Sequence, residues 1–380
     1  MPTLHACGSN GGGQLGIGHV DDVATFTPCV FDPSCPPFER VVDLVSAASH
    51  ALVLVSADGH NHLLGAGTNS HGQLGKVCVL TECASPATSF RPLSIAVDAG
   101  FDGWEPVKLA ATWTTSFVAL QSPDGSSVRT QVIVAAGSDD FGELGGGIIR
   151  LKEGERVEHL GGGQRHVLAV LVSGSGDGRK QRVIGWGSAR RGELDPSPQP
   201  DKGKSKARMR FLAPTELTLD LPAPIIDISL GASHTLLLLA DGRVLAWGNN
   251  MKGQITDLGD MTGVRAIGAT WNGSYILDDQ FWSQGSNTHG QLLRSDSGKT
   301  RAPRATVTAG GEGIEAFAAG SEHILALVRA GPRTDLWAGG WNEHGNLGLG
   351  NKTDSAQLVN TSIHASRVWA GCAASWALVE

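Results

Sequence analysis

The sequence predicts an all-β fold built from repeated units. Three observations support this prediction: the abundance of glycine, two phrases that recur along the chain, and Asp-Gly pairs between apolar runs. The chain of 380 residues has 52 glycines and 17 prolines, and only 18% of its residues are charged. Such a composition is typical of many short strands joined by tight turns rather than of long helices.

The first repeated phrase has the form Gly-x-Asn-x-x-Gly-Gln-Leu-Gly. Its first two glycines stay five residues apart in every copy, which predicts a strand exit that requires positive φ or close backbone approach. The Leu or Ile after Gln is expected to anchor the loop. The seven copies begin at Gly8, Gly67, Gly137, Gly187, Gly248, Gly285 and Gly340.

A second phrase combines a small residue, two further residues, a histidine and an apolar run. The histidine is present in four copies, as His50, His166, His234 and His323. In three further copies, within 111–120, 268–277 and 371–379, we interpret a tryptophan-containing variant as the replacement of the histidine. Turns such as Asp58-Gly59 follow the apolar run and predict a hairpin.

The spacing of the copies favours a β-propeller over a stacked solenoid. Successive first glycines lie between 37 (Gly248 to Gly285) and 70 residues (Gly67 to Gly137) apart, and a propeller tolerates insertions that leave from equivalent blades. The last copy ends without its second strand, whereas Thr3 to Cys7 leads directly into Gly8. We therefore predict one domain, residues 1–380: a seven-bladed β-propeller closed by pairing of the N-terminal strand with the last C-terminal blade, which removes exposed edges.

One segment interrupts this regularity. Residues 196–210 (PSPQPDKGKSKARMR) combine proline with basic residues and contain few apolar ones. We expect a mobile, solvated insert within a blade. A role in localisation or in contact with phosphate is the alternative.

Together, the two phrases resemble the regulator-of-chromosome-condensation repeat family over essentially the whole chain. Within that family, GSEHILAL from Gly320, GGWNEHGNLG from Gly339 and RVWAGCAASWALV from Arg367 look like the fungal killer-toxin-insensitivity propellers, also called alpha-tubulin suppressors. The resemblance implies a heterodimer with a small CSL-type metal-binding protein, the electron donor for diphthamide synthesis on elongation factor two. It also implies support of Elongator-dependent modification of wobble uridines in tRNA.

The expected partner-binding patch consists of large or polar residues in loop-like segments: Trp113, Trp271, Trp341, Glu343 and His344. Exposed aromatic rings often anchor protein interfaces, although partial burial between blades is the alternative for these tryptophans. Trp186 and Trp247, which precede first glycines, are expected in the core.

The repeated histidines suggest structural roles. Because the repeat histidines of the second phrase belong to different blades, we expect them to bond the blade backbone rather than to bind a metal. His71, His289 and His344 share one repeat position and therefore one face. His60 and His62 are a weak metal signal, and we expect no metal site and no cofactor.

The remaining features limit the classes of function. A net charge of −7 disfavours binding to nucleic acid. No apolar run is long enough to span a membrane, and the six cysteines are expected to be reduced. No phosphate-binding loop, nucleophile elbow or metalloprotease motif is present, so we expect no enzyme. The resemblance implies an adaptor in the cytoplasm and nucleus. The alternatives are a guanine-nucleotide exchange factor for a Ran-like GTPase and a lectin or hydrolase propeller.

Overall fold

A computed structural model describes residues 3–76, 86–123, 129–196, 211–294, 302–307 and 313–379. Apart from residue 196, the predicted insert lies outside these residues, as do Cys78 and Cys83. The single α-helix of the described chain, α1, is Ile95–Asp98, and two 3₁₀ turns are Gly176–Gly178 and Leu258–Asp260. No helix among the described residues has the length and apolar character to cross a membrane.

The strands of the described residues form six antiparallel sheets. The four-stranded sheets contain β3 (Arg40–Ser46), β4 (His50–Ala57), β5 (His60–Gly67) and β6 (Ala87–Pro92); β7 (Glu105–Ala111), β8 (Thr115–Gln121), β9 (Gln131–Gly137) and β10 (Ile148–Arg150); β11 (Arg156–Gly162), β12 (His166–Ser173), β13 (Lys180–Ser188) and β14 (Phe211–Leu217); and β18 (Ala266–Ala269), β19 (Gly273–Leu277), β20 (Phe281–Gly285) and β21 (Ala302–Val307). The three-stranded sheet contains β15 (Ile225–Leu230), β16 (His234–Leu239) and β17 (Val244–Gly248).

The remaining sheet has seven strands, in the order β2-β1-β26-β25-β24-β23-β22. Its strands are β1 (Thr3–Gly8), β2 (Val23–Pro28), β22 (Ile314–Ala319), β23 (His323–Ala330), β24 (Arg333–Gly340), β25 (Ser355–Ala370) and β26 (Ala374–Val379). The long strand β25 pairs with β24 through Ser355–His364 and with β26 through 365–370. Strand β1 pairs with β26 from Thr3 opposite Val379 to Gly8 opposite Ala374. The sheet therefore divides at β25 into two strand groups.

We number the strand groups 1 to 7, beginning with β3–β6; group 6 is β22 to the first part of β25, and group 7 is the rest of β25 with β26, β1 and β2. The first strands of successive groups contact one another in chain order, and β25 contacts β3. The turns that follow these first strands are also hydrogen-bonded to one another. For example, the Trp113 N–H donates to the carbonyl of Gln164 at 3.0 Å, and the Trp271 N–H donates to that of Ser321 at 2.8 Å.

The hydrophobic core is divided into clusters that lie between neighbouring groups. Trp186 and Trp376 are among its largest fully buried side chains, and Trp247 is also buried. The prediction that Trp186 and Trp247 belong to the core is confirmed. Apolar burial between neighbouring groups, including groups 6 and 7 of the seven-stranded sheet, stabilises their packing.

Strand register explains the first glycine of each phrase. Gly67 lies opposite His50 in the sheet, and the other six glycines occupy the same position in their groups. Gly67 has φ +117°, and a Cβ there would collide with the Ser49 carbonyl oxygen, which accepts the N–H of Thr68 at 2.8 Å. Both predicted reasons for glycine, positive φ and close backbone approach, are confirmed.

The same register corrects the interpretation of the tryptophan variants. The residues that replace histidine opposite the glycine are Thr115, Gly273 and Ala374. Trp113 and Trp271 instead stand two residues before that position, where the first group has Ala48. Spacing within the phrase does not show this difference, because the apolar runs begin at slightly different distances from the histidine position.

The four repeat histidines are buried and bond across groups. Each Nε2 lies 2.9–3.2 Å from a hydroxyl of the next group, in the pairs His50–Ser116, His166–Thr235, His234–Ser274 and His323–Ser375. The hydroxyl partners add to the expected backbone bonding, which contributes at His234 through Gly273 and at His323 through Ala374.

Candidate protein-binding face

Three tryptophans predicted from the sequence lie on one face of the molecule. In every group, antiparallel pairing places the turn between the first and second strands at the same end as the loop after the third strand. We call this end the loop face. Trp113 is in the β7–β8 turn, Trp271 in the β18–β19 turn and Trp341 in the β24–β25 loop, so all three belong to it.

Trp113 and Trp271 contact each other across the centre of this face. Their ring centroids are 5.6 Å apart with an interplanar angle of 38°, although they come from groups 2 and 5. Both line a cavity of about 120 Å³ to which all seven groups contribute residues. Because groups 2 and 5 are not neighbours, the pair spans the cavity, and each ring keeps a partly exposed surface.

Trp341 lies between two histidines of the loop face. Its ring centroid is 5.5 Å from that of His344 and 6.1 Å from that of His289. His344 Nδ1 lies 2.7 Å from Asp22 Oδ2, and His289 Nδ1 lies 3.3 Å from Asp354 Oδ2. Each histidine therefore pairs with an aspartate of the following group, and the two pairs hold the region around Trp341.

The turn at Ser321-Glu322 connects the two tryptophan sites. The backbone N–H of Trp271 donates to the Ser321 carbonyl. The backbone N–H of Trp341 donates to the Glu322 carbonyl at 2.9 Å. The Glu322 side chain accepts a hydrogen bond from Gln291 Nε2 at 2.7 Å. Burial raises the pKa of Glu322 to about 7.

The structure thus arranges the five predicted residues as two neighbouring clusters rather than one. Trp113 and Trp271 form the central cluster, whereas Trp341, His344 and the exposed Glu343 form the outer one. Glu322 and His289 were missed as site residues. A glutamate directly before the repeat histidine, where other copies have Ser or Arg, was the available signal for Glu322.

The described residues offer no cluster of three or more metal-ligating side chains. His60 and His62 begin β5 at the end opposite the loop face, beside a cavity of about 580 Å³ that also contains Trp104. Cys7, Cys29, Cys35 and Cys372 are free thiols. Burial raises the pKa of Cys372, which lines the central cavity, to about 11, so its thiol stays protonated near neutral pH.

Comparison with known proteins identifies the kind of repeat. A model of the regulator of chromosome condensation (RCC1) repeat matches residues 225–254. Human WBSCR16 superposes with a TM-score of 0.75 at 16% identity and full coverage of both chains. Prp20p of Saccharomyces cerevisiae superposes with a TM-score of 0.73 at 20% identity, covering 99% of this chain and 91% of Prp20p. The chain is an RCC1-like repeat protein.

Relatives of this RCC1-like protein differ in length and description. An RCC1 repeat-containing protein of Schizosaccharomyces pombe is 25% identical over an alignment of 404 positions that covers 99% of each chain. A secretion-regulating guanine nucleotide exchange factor of Bos taurus is 24% identical, covering 93% of this chain and 78% of that one. The ultraviolet-B receptor UVR8 of Arabidopsis thaliana is 28% identical over an alignment of 215 positions that covers 52% of this chain and 44% of the receptor.

Proposed function

We propose that this RCC1-like protein is a non-catalytic adaptor that binds a small CSL-type metal-binding protein through its loop face. In this role it supports diphthamide synthesis on elongation factor two and Elongator-dependent modification of wobble uridines in tRNA, in the cytoplasm and nucleus. The identity of the partner rests on the resemblance of the C-terminal phrases to the fungal killer-toxin-insensitivity propellers.

The supporting observation is the placement of Trp113, Trp271 and Trp341 on one face by backbone hydrogen bonds. Large aromatic side chains dominate many protein interfaces. Because these rings sit in turns fixed by neighbouring strand groups, little conformational freedom remains to be lost on binding. Such a surface suits a stable heterodimer.

The arrangement of the seven strand groups supports the loop face. The seven strand groups act as the blades of one seven-bladed propeller, and insertion of β1 between β26 and β2 completes the last blade. Contacts between β25 and β3 join the last group to the first. The loop face is then a single rigid platform.

Co-purification and titration test this function. A tagged chain from native cells should recover an endogenous CSL-type protein at equal stoichiometry, and purified partners should form the complex by calorimetry. We expect the Trp113→Ala/Trp271→Ala and Trp341→Ala variants to weaken binding at least about tenfold, about 1.4 kcal/mol. Trp104→Ala, at the opposite end of the sheets, is the matched control and should leave the affinity unchanged. Absence of the partner from the pull-down would refute the proposal.

The second candidate is a guanine-nucleotide exchange factor for a Ran-like GTPase. Two relatives favour it: the bovine protein is described as a guanine nucleotide exchange factor, and Prp20p was described with its binding to Gsp1p and histones. Release of labelled GDP from a Ran-like GTPase, measured with and without this chain, separates the two candidates. Acceleration over the intrinsic rate would favour the exchange factor.

A further inference from the structure

A second feature of the loop face is a cluster of cations beside the tryptophans. It lies on the β11–β12 turn and on the loops that follow the third strands of groups 2, 3 and 4. We call it the basic arc, and it consists of Arg165, Arg190, Arg191 and Lys252 together with Phe141 and Met251.

Apolar side chains separate and support the arginines of this arc. The Arg165 guanidinium carbon lies 3.8 Å from the Phe141 ring centroid, and that of Arg190 lies 5.3 Å from the same centroid. Arg191 Nη1 lies 3.2 Å from the sulfur of Met251, whose residue is 71% exposed. Stacking on an aromatic face fixes a guanidinium while leaving its N–H edge available to a ligand.

The arginines of the basic arc form no ion pair, unlike several others in the described chain. Arg179, Arg182 and Arg243 each form an ion pair with an acidic side chain. Within the described residues, the guanidiniums of Arg165, Arg190 and Arg191 have no such carboxylate partner. Three guanidiniums without an ion pair therefore lie close together on the loop face, around Phe141 and Met251.

The basic arc is continuous with the central tryptophan pair. Arg165 directly follows Gln164, which lines the central cavity and accepts the N–H of Trp113 at 3.0 Å. Arg165 is therefore within reach of a partner that covers Trp113.

We propose that the basic arc docks an acidic peptide segment of the protein partner, with carboxylates on the arginines and an apolar side chain against Phe141 or Met251. Guanidinium groups bind carboxylates through paired, charge-assisted hydrogen bonds. The exposed Asp139 and Asp140 precede Phe141 in the same loop. Their negative charges would repel the phosphate backbone of a nucleic acid. This inference rests on the proposed function, because it assigns the chemistry of the partner at that face.

Fluorescence anisotropy with a short labelled peptide of glutamates around one phenylalanine tests the arc. The full chain should bind this peptide, and binding should weaken as salt is raised. The Arg165→Ala/Arg190→Ala/Arg191→Ala variant should lose at least about tenfold in affinity. The matched control, Arg40→Ala/Arg156→Ala/Arg333→Ala, removes the same charge from exposed residues at the opposite end of the sheets and should bind as the parent does. Thermal melts establish that both variants are folded.

Three outcomes would overturn the inference: no binding of the peptide, equal loss in the two triple variants, or tighter arginine-dependent binding of a single-stranded oligouridylate. Titration of the CSL-type protein into the parent chain and its variants distinguishes failure of the acidic-segment inference from failure of the proposed function. If the tryptophan variants weaken the heterodimer and the arginine variant weakens neither heterodimer nor peptide, only the acidic-segment inference falls. If the peptide depends on the arginines but the tryptophan variants bind the CSL-type protein normally, the basic arc stands and the proposed function falls.

Discussion

The buried histidines and the hydroxyls that they contact vary together along the chain. Groups 1, 3, 4 and 6 carry the histidine, and the groups that follow them carry Ser116, Thr235, Ser274 and Ser375 next to the histidine position. Where the histidine is replaced, by Thr115, Gly273 or Ala374, the next group has Val167, Ile324 or Ala51. The buried Nε2 atom of each repeat histidine thus has a hydroxyl partner in the next group, which lowers the cost of burying it between groups.

Removal of one hydroxyl tests this pairing. Ser116→Ala leaves His50 Nε2 without its partner in a fully buried site, and we expect unfolding free energy to fall by about 1–3 kcal/mol. Ala51→Ser is the reciprocal control, because it buries a hydroxyl opposite a group that has Ala374 in place of histidine, and it should also destabilise. Urea denaturation measures both. A Ser116→Ala variant as stable as the parent would contradict the pairing.

The same histidines predict a pH dependence of stability. Burial lowers the pKa of His50 and His323 to about 4 and that of His166 and His234 to about 3. Since the unfolded value is about 6.5, the unfolded chain binds more protons below that pH, and stability should fall by about 1.4 kcal/mol per pH unit for each histidine. Asp227 and Glu322, with pKa values raised by burial to about 6 and about 7, act in the opposite direction.

Denaturant titrations at a series of pH values, from neutral pH down to the folded-state pKa values of the histidines, give the free energy of unfolding at each pH. The slope of that free energy with pH measures the net proton uptake on unfolding. We expect stability to decline on acidification, and the His323→Leu variant to show about one proton less uptake than the parent. Unchanged stability over this range would show that the histidines are not buried in the neutral form.

The Asn and Gln side chains of the nine-residue phrase accept hydrogen bonds from backbone N–H groups of the loop that follows each third strand. Asn342 Oδ1 accepts the N–H of Leu347 at 2.9 Å, and Gln291 Oε1 accepts the N–H of His289 at 2.7 Å; corresponding bonds recur in other copies. The second glycine adopts positive φ, as at Gly72 with +77°. The sequence showed the need for glycine, but the roles of Asn and Gln required the loop geometry.

Two copies lack this asparagine: Asp139 replaces it in group 2 and accepts the N–H of Leu144 at 2.8 Å, whereas the copy in group 3 provides a test at the level of the element. Ala189 stands in its place in group 3, so no amide side chain is available to the N–H of Leu194. We expect Ala189→Asn to raise the unfolding free energy by about 0.5–1.5 kcal/mol and Asn342→Ala to lower it by at least as much. Thermal unfolding of the two variants measures these effects. A neutral Asn342→Ala would show that the loop does not depend on this bond.

At the scale of the whole molecule, β1 lies between two strands, β2 and β26, that are distant from each other in sequence. It pairs with β26 on one side and with β2 on the other. A chain lacking residues 1–7 loses both sets of hydrogen bonds and exposes the edge of β26. We expect its midpoint of thermal unfolding to fall by on the order of 10 °C.

A peptide of residues 1–7, added in trans, should partly restore the midpoint because it can occupy the vacated position. If the shortened chain melted no earlier than the intact one, the proposed closure of the propeller, and with it the rigid loop face, would have to be abandoned.

The sequence by itself determined the all-β class, the seven copies of both phrases and the residue types that the backbone demands, because these depend on local conformation. It also selected Trp113, Trp271 and Trp341, since large aromatic residues in polar turns depart from the repeat. Only the tertiary structure decided that two of these rings meet across the central cavity, that the histidines bond to the next group, and that Glu322 connects the two clusters. Those contacts join residues far apart in the chain, so their distances depend on how neighbouring sheets pack, which no local pattern encodes.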